Sequence, residues 1–377
     1  MIRKLVFNMR TLLLFLHVIG GGFFLTLLFA SSSTLAQGQL NSHCSRDSQC
    51  QTGLYCFACP AAGSAFSASY CTRSDATPTS AFPKNTSLPF NKYAWLTTHN
   101  SFAIFGSPPR AGTPIITFFN QEDSVTQQLN NGVRGLMLDM YDFKNTVWLC
   151  HSFNGKCFDF TAFRPAIETL IEIKNFLDNN AMEIITIFIE DYVNAPFGLT
   201  KVFTSAGLMK YWFPLSNMPV GGADWPTLDT MIQMNQRLIV FTSMDKEATE
   251  GIAHQWNFTN ENQFGDDGMK QGICINRGGS SVMSDTTKAL IVQNFFPNNP
   301  NPIEVCVDNS DALWNELSSC YSASGNRWSN FLAVDFYKRS TGGGAFHAVD
   351  TLNGQLECGC LDITSHCSCS SSEMWEG

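Results

Sequence analysis

His99 stands in the run Thr97-Thr98-His99-Asn100-Ser101, at the end of a short apolar stretch. The same placement recurs down the chain. Asp139, with Asp142 beyond it, follows Leu136-Met137-Leu138, His151 and Ser152 follow Val147–Cys150, and Glu190 and Asp191 follow Ile184–Ile189. Any one histidine is most often a satisfied structural residue. Two histidines and two carboxylates delivered by successive apolar runs are the set that a two-histidine acid–base reaction needs. The imidazoles carry protons near neutrality, and the carboxylates orient an imidazole or hold a cation. Asp335, within Phe331–Tyr337, is a further candidate to orient His99, with a purely structural buried carboxylate as its alternative.

Something must hold these ends on one rim. Seven segments read as strands: Ala94–Thr98, Val133–Asp139, Val147–Cys150, Ile184–Glu190, Arg237–Thr242, Leu290–Asn294 and Phe331–Tyr337. The continuous apolar run of Ile184–Ile189 is typical of a strand buried on both faces, as in parallel sheets. Phe163 to Asn179 carries apolar residues at Ile167, Leu170, Ile171, Ile173 and Leu177, which predicts an amphipathic helix. Asp308 to Cys320 predicts another, started by Asp308 or Asn309. Strands alternating with helices predict an α/β fold, an irregular TIM-type (β/α)8 barrel whose active residues follow the strands on the C-terminal face. Arg134 begins the second strand, away from that face, and is expected in a structural ion pair.

The chain is 44% hydrophobic and only 15% charged, which suits a large core and excludes general disorder. A formal charge of -9 argues against a nucleic-acid partner, whose phosphates require the opposite balance. Arg3, Lys4 and Arg10 precede an apolar run to Ala30, and Thr34-Leu35-Ala36 suits cleavage after Ala36. Residues 1–36 therefore read as an export signal, in preference to an uncleaved anchor. The C-terminus ending in Ser372-Glu373-Met374-Trp375-Glu376-Gly377 lacks a lipid-anchor signal, so a secreted protein is expected.

All 14 cysteines follow the signal, consistent with disulfides. Five lie between Cys44 and Cys71, three between Cys274 and Cys320, so full pairing requires a bridge between distant segments. Zinc at Cys358, Cys360, Cys367 and Cys369 is the weaker alternative. Asn85 and Asn257 open glycosylation sequons. Residues 37–80 form a cysteine-rich N-terminal segment, and 81–377 the barrel with a cysteine-rich tail.

Taken in order, Thr98–Ser101, Gly132–Asp142, His151 and Ile187–Glu190 resemble the successive strand motifs of the phosphatidylinositol-specific phospholipase C catalytic (X) domain. Phe331–Tyr337 and Asn353–Cys360 resemble a secreted, cysteine-rich branch of that superfamily, and the likeness runs from about residue 90 to 360. The resemblance implies a phosphoric diester hydrolase in which the substrate's own 2-hydroxyl attacks phosphorus. His99 would take the hydroxyl proton and His151 would protonate the leaving alkoxide. Bacterial members place an arginine two residues after the second-strand aspartate; here that residue is Tyr141. Eukaryotic members use Ca2+, and Asn100, Asp139 and Glu190 match three of its ligand positions. Met137 occupies a fourth, where a thioether is a poor partner for a hard cation, which predicts weakly held Ca2+ with Asp142 or Asp191 compensating.

Two functions remain open on these residues. One is an extracellular phosphodiesterase acting on phosphatidylinositol or a related phosphodiester, with peripheral membrane contact. The other is a non-catalytic barrel that binds a phosphoinositide headgroup or glycan. His99→Ala separates them, since an enzyme loses turnover and a binder loses little. Lys338 and Arg339 are weighed as phosphate contacts against simple solvation. Cys150 and Cys157 are weighed as a bridge across the His151 loop, and Trp148, Trp212, Trp225 and Trp256 as cleft or core residues. No P-loop, Gly-x-Ser-x-Gly or His-Glu-x-x-His motif offers a rival chemistry.

Overall fold

A computed structural model describes residues 14–19, 22–27, 37–39, 42–52, 54–59, 69–73, 86–341 and 344–358 of the 377-residue chain. Two units are distinguished, Met1–Gln37 and Gly38–Gly377. In the first, Leu14–Ile19 pairs antiparallel with Gly22–Leu27. The expected cleavage after Ala36, the sequon at Asn85 and the cysteines beyond Cys358 lie outside the described residues.

The second unit is built on a ten-stranded sheet: β1 (Trp95–Thr98), β2 (Gly135–Phe143), β3 (Thr146–Cys150), β4 (Ala162–Pro165), β5 (Ile185–Tyr192), β6 (Leu238–Thr242), β7 (Ala253–His254), β8 (Thr259–Glu261), β9 (Leu290–Phe295) and β10 (Phe331–Val334). Eight of these run parallel in the order β7-β6-β5-β2-β1-β10-β9-β8. No ladder joins β7 to β8 among the described residues, so the TIM-type barrel is open there.

Two sequence expectations need correction. Val147–Cys150 is not a barrel strand: it runs antiparallel to the outer half of β2, with Met140 opposite Leu149, and then pairs with β4. An apolar run reads the same in either setting. The strands Ala253–His254 and Thr259–Glu261 escaped the pattern because they are short and partly polar. The first predicted helix spans Ala166–Asn179, and the second begins only at Leu313, after a distorted turn over Asp308–Ala312, so neither Asp308 nor Asn309 caps it. Arg134 meets Glu183 at 2.8 Å, as expected.

Strand alternation sorts the core into two layers. Leu136, Leu138, Ile187, Ile189, Leu332 and Val334 pack outward with the helices. Trp95, Phe188, Phe241 and Phe331 point inward as an aromatic plug, with Phe188 edge-on to Phe331 at 4.9 Å. Burying each of these rings stabilises the fold by roughly 1.5–3 kcal/mol. Close approach of β1 and β2 requires Gly135, where a Cβ would lie 2.1 Å from the Thr97 hydroxyl.

A small module precedes the barrel, three short strands pinned by Cys44–Cys56 and Cys50–Cys71. Cys59–Cys306 ties it to the barrel and is the long-range bridge that the odd cysteine clusters require. Cys150–Cys157 and Cys274–Cys320 complete the bridges among the described residues.

Candidate active site

The plug explains where the polar residues go. Moving two or four residues further along the same inward faces gives His99 above Trp95, Asp139 above Met137, and Glu190 above Phe188. The same step gives Ser243 above Phe241, Asn294 above Val292 and Asp335 above Phe331. All but Asp335 line a cavity of about 250 Å³ at the C-terminal ends of the strands, together with His151, Trp256, Glu261 and Arg277. Asp335 lies behind it, buried, in contact with His99.

Val334 is in register with Thr98, so the next residues of β10 and β1 leave the sheet side by side. His99 Nδ1 lies 2.9 Å from Asp335 Oδ1, and Asn120 Nδ2 donates to the same oxygen at 2.9 Å. The His99 ring stacks flat on Phe296, with centroids 3.6 Å apart. An imidazole so held donates Nδ1–H to the carboxylate and turns Nε2 toward the cavity.

His151 arrives differently, at the end of the antiparallel arm. Its ring donates Nδ1–H to the Phe118 carbonyl at 3.0 Å, and its backbone N–H donates to Thr161. Burial lowers its pKa, partly offset by the Phe118 bond, and the neighbouring His99 lowers it further. Cys150–Cys157 closes the loop that carries it.

Glu190 and Asp139 are register partners on β5 and β2, which places two carboxylates together. Burial and the Glu190 charge push the Asp139 carboxyl well above the usual range. No ion pair relieves either group among the described residues. The Asn100 side-chain oxygen faces the Asp139 carboxylate. A half-turn of the amide would instead let its nitrogen donate to Asp139 at 3.1 and 3.3 Å, with its oxygen accepting from His99 Nε2 at 3.2 Å. Asn100, Asp139 and Glu190 line one cavity and offer oxygen donors, with the Tyr192 hydroxyl donating to Glu190 and no cation paired to them among the described residues, a donor set whose chemistry suits a hard cation such as Ca2+.

Met137 lines the cavity as expected. Neither proposed substitute for it does. Asp142 accepts from the Asn194 and Ala195 N–H groups, and Asp191 from Val193 N–H and Thr242 Oγ1. Lys338 and Arg339 also point elsewhere. Lys338 pairs with Asp123 at 2.8 Å over the Tyr55 ring, and Arg339 binds Glu122 near Phe57, so both dock the N-terminal module. Of the four tryptophans weighed, only Trp256 reaches the cavity. Asn257 beside it is exposed.

Sequence reasoning missed Glu261 and Arg277. Glu261 is buried yet fully engaged: Arg277 lies at 3.1 Å, and Gln255, Trp256 and Asn294 donate to it at 2.9, 2.8 and 2.9 Å. Arg277 lies against the rings of Trp256 and Phe264. Its place in a long loop after β8 left no spacing to read.

Comparison with known proteins identifies the family of the chain. The family model described as PI-PLC X 1 matches residues 90–353. The chain is 51% identical over 345 residues to the PI-PLC X domain-containing protein At5g67130 of Arabidopsis thaliana, covering 90% of this chain and 80% of the relative. It is 26% identical over 257 residues to an uncharacterized secreted protein of Arthroderma benhamiae, covering 62% and 56%. Among solved structures it is similar to the phosphatidylinositol-specific phospholipase C from Listeria monocytogenes, with 14% identity, 71% and 94% coverage and a TM-score of 0.45. The chain belongs to the PI-PLC X domain family.

Proposed function

We propose that this protein is an extracellular phosphoric diester hydrolase that cleaves phosphatidylinositol or a closely related phosphodiester by two-histidine acid–base catalysis, assisted by Ca2+. The observation that carries this reading is that His99, held from behind by Asp335, lines the same cavity as His151.

His99, with Nδ1–H held by Asp335, has Nε2 available to take the proton of an attacking hydroxyl. Asp335 then stabilises the imidazolium, and Asn120 keeps the carboxylate in place. His151, with Nδ1–H held by the Phe118 carbonyl, presents Nε2, which in the protonated ring delivers a proton to the leaving alkoxide. The substrate's vicinal hydroxyl is the nucleophile, so no protein group needs to form a bond to phosphorus.

The cavity wall is poor in positive charge. Asp139, Glu190 and Glu261 face it against one guanidinium, Arg277, which Glu261 already engages. An anionic phosphodiester entering it needs a further cation. Asn100, Asp139 and Glu190 would hold Ca2+, which supplies that charge when bound. Extracellular action is supported by the disulfides of the described residues.

The test is release of a water-soluble inositol phosphate from phosphatidylinositol by the purified protein, with and without a Ca2+ chelator. Release that the chelator suppresses supports the reading. A folded protein that binds the lipid headgroup and leaves it intact would favour the binding-only alternative.

A further inference from the structure

We propose that the disulfide-stapled N-terminal module is a positioning clamp for the His99–Asp335 pair. The inference rests on the acid–base reading of that pair and gives a role to a segment lying ahead of the family domain. No described residue of the module lines the cavity, so it acts through the residues that flank Asp335.

Asp335 stands just beyond the end of β10, and the next residue needs outside support. Phe336 is buried with φ at +43°, the left-handed region that a bulky side chain rarely adopts. Such a turn persists only where its surroundings impose it. On one side, residues 120–123 are bonded to 335–339 at every step. Asn120 Nδ2 donates to the Asp335 carboxylate at 2.9 Å, and Phe336 N–H donates to the Asn120 carbonyl at 2.8 Å. The Tyr337 hydroxyl and Lys338 both donate to Asp123, at 2.5 and 2.8 Å, and Arg339 Nε donates to Glu122 at 2.8 Å. On the other side, the buried Asn309 donates Nδ2–H to the Asp335 carbonyl at 3.0 Å.

Both supports end on the module. The Lys338 ammonium lies over the Tyr55 ring, 5.4 Å from its centroid. The Arg339 guanidinium lies against Phe57 and Phe336, at 6.0 and 5.8 Å. These rings keep water from the two ion pairs, whose cations are each 15% exposed, and an ion pair withdrawn from water holds its geometry better than an exposed one. Cys59 is bridged to Cys306, three residues before Asn309. The Cys306 carbonyl accepts from Thr341 N–H at 2.8 Å, two residues beyond Arg339. The module therefore grips the Asp335 segment from both sides, and Asp335 in turn fixes the His99 ring.

The experiment compares the full protein with Lys338→Met, Lys338→Arg and the double substitution Cys59→Ser, Cys306→Ser. Lys210→Met is the control; it removes an ion pair to Asp178 beside the N-terminal end of β6. The readouts are kcat and KM on a short-chain, water-soluble phosphatidylinositol, and hydrogen exchange by mass spectrometry over residues 120–123 and 335–339. Lys338→Met and the double variant are expected to lose about tenfold or more in kcat with KM unchanged. They are also expected to exchange faster in those two segments and not elsewhere in the barrel. Lys338→Arg, which keeps a cation over Tyr55, and Lys210→Met are expected to match the wild type in both readouts. Lys338→Met leaves every bridge intact and carries the test if the double variant does not fold. Wild-type kcat in the folded variants, a loss confined to KM, or exchange that rises evenly over the barrel overturns the clamp and leaves the module a stabilising cap. A wild type that cleaves nothing overturns the catalytic reading, and exchange in the two segments then decides the clamp by itself.

Discussion

His99 and Asp335, 236 residues apart in the chain, meet at 2.9 Å because β1 and β10 are neighbours in register and each ends one residue before its member of the pair. The carboxylate fixes the tautomer that leaves Nε2 facing the cavity. Asp335→Asn keeps the shape and removes the charge that stabilises the imidazolium. It is expected to lower kcat on the order of 10³-fold with little change in KM. Steady-state kinetics checks this, with circular dichroism to show the fold retained; a loss confined to KM would assign Asp335 to binding instead.

The acid role proposed for His151 implies a pH limb. Burial and the nearby His99 hold its pKa below 6.5, so above that value the ring is neutral and has no proton for the leaving group. The profile of kcat/KM should therefore fall on the alkaline side with an apparent pKa below about 6.5. In His151→Ala that limb should vanish along with most of the rate. An alkaline limb above the ordinary histidine range, or one retained by the variant, would contradict the assignment.

Asp139 and Glu190 are register partners whose charges repel each other, a repulsion that a bound cation would relieve. Ca2+ is expected to raise the Tm of the wild type, and Asp139→Asn or Glu190→Gln to weaken that response by roughly 10–100-fold in Ca2+ concentration. Without Ca2+, Asp139→Asn should be more stable than the wild type at neutral pH, because burial disfavours the charge it removes. Thermal-shift titration reads both effects, and equal Ca2+ responses in all three proteins would exclude these ligands.

Much of this site was legible because a β-strand repeats every two residues. The aromatic plug and the polar rim share one parity, so apolar runs ending in His99, Asp139 and Glu190 announce a common face. The His151 run looked like the others although it belongs to an antiparallel arm, since hydrophobic pattern does not report strand direction. Glu261 and Arg277 left no signal: β8 is three residues long, and Arg277 reaches the cavity from a loop. The basic pair Lys338 and Arg339 shows the limit of proximity in sequence. They follow the strand that leads to Asp335 yet turn away to clasp the N-terminal module.

Glu316 offers a stability test outside the site. Its side chain is buried against the Cys274–Cys320 bridge, with one carboxylate oxygen unpartnered, and burial pushes its pKa up to about 7. The folded state then holds the proton that the unfolded chain releases near 4.5, so stability is lost as pH rises between these values. Glu316→Gln should match the wild type at pH below this window and exceed it at pH 8 by up to about 3 kcal/mol. Urea denaturation at both pH values checks this; a pH-independent difference would contradict it.

The most direct measurement is phosphorus NMR of phosphatidylinositol incubated with the protein and Ca2+, beside His99→Ala. The proposed mechanism predicts a cyclic inositol phosphate resonance that grows with the wild type and is absent with the folded variant. A folded wild type that yields no such resonance, or a variant that yields it at the same rate, would contradict catalysis by this pair of histidines.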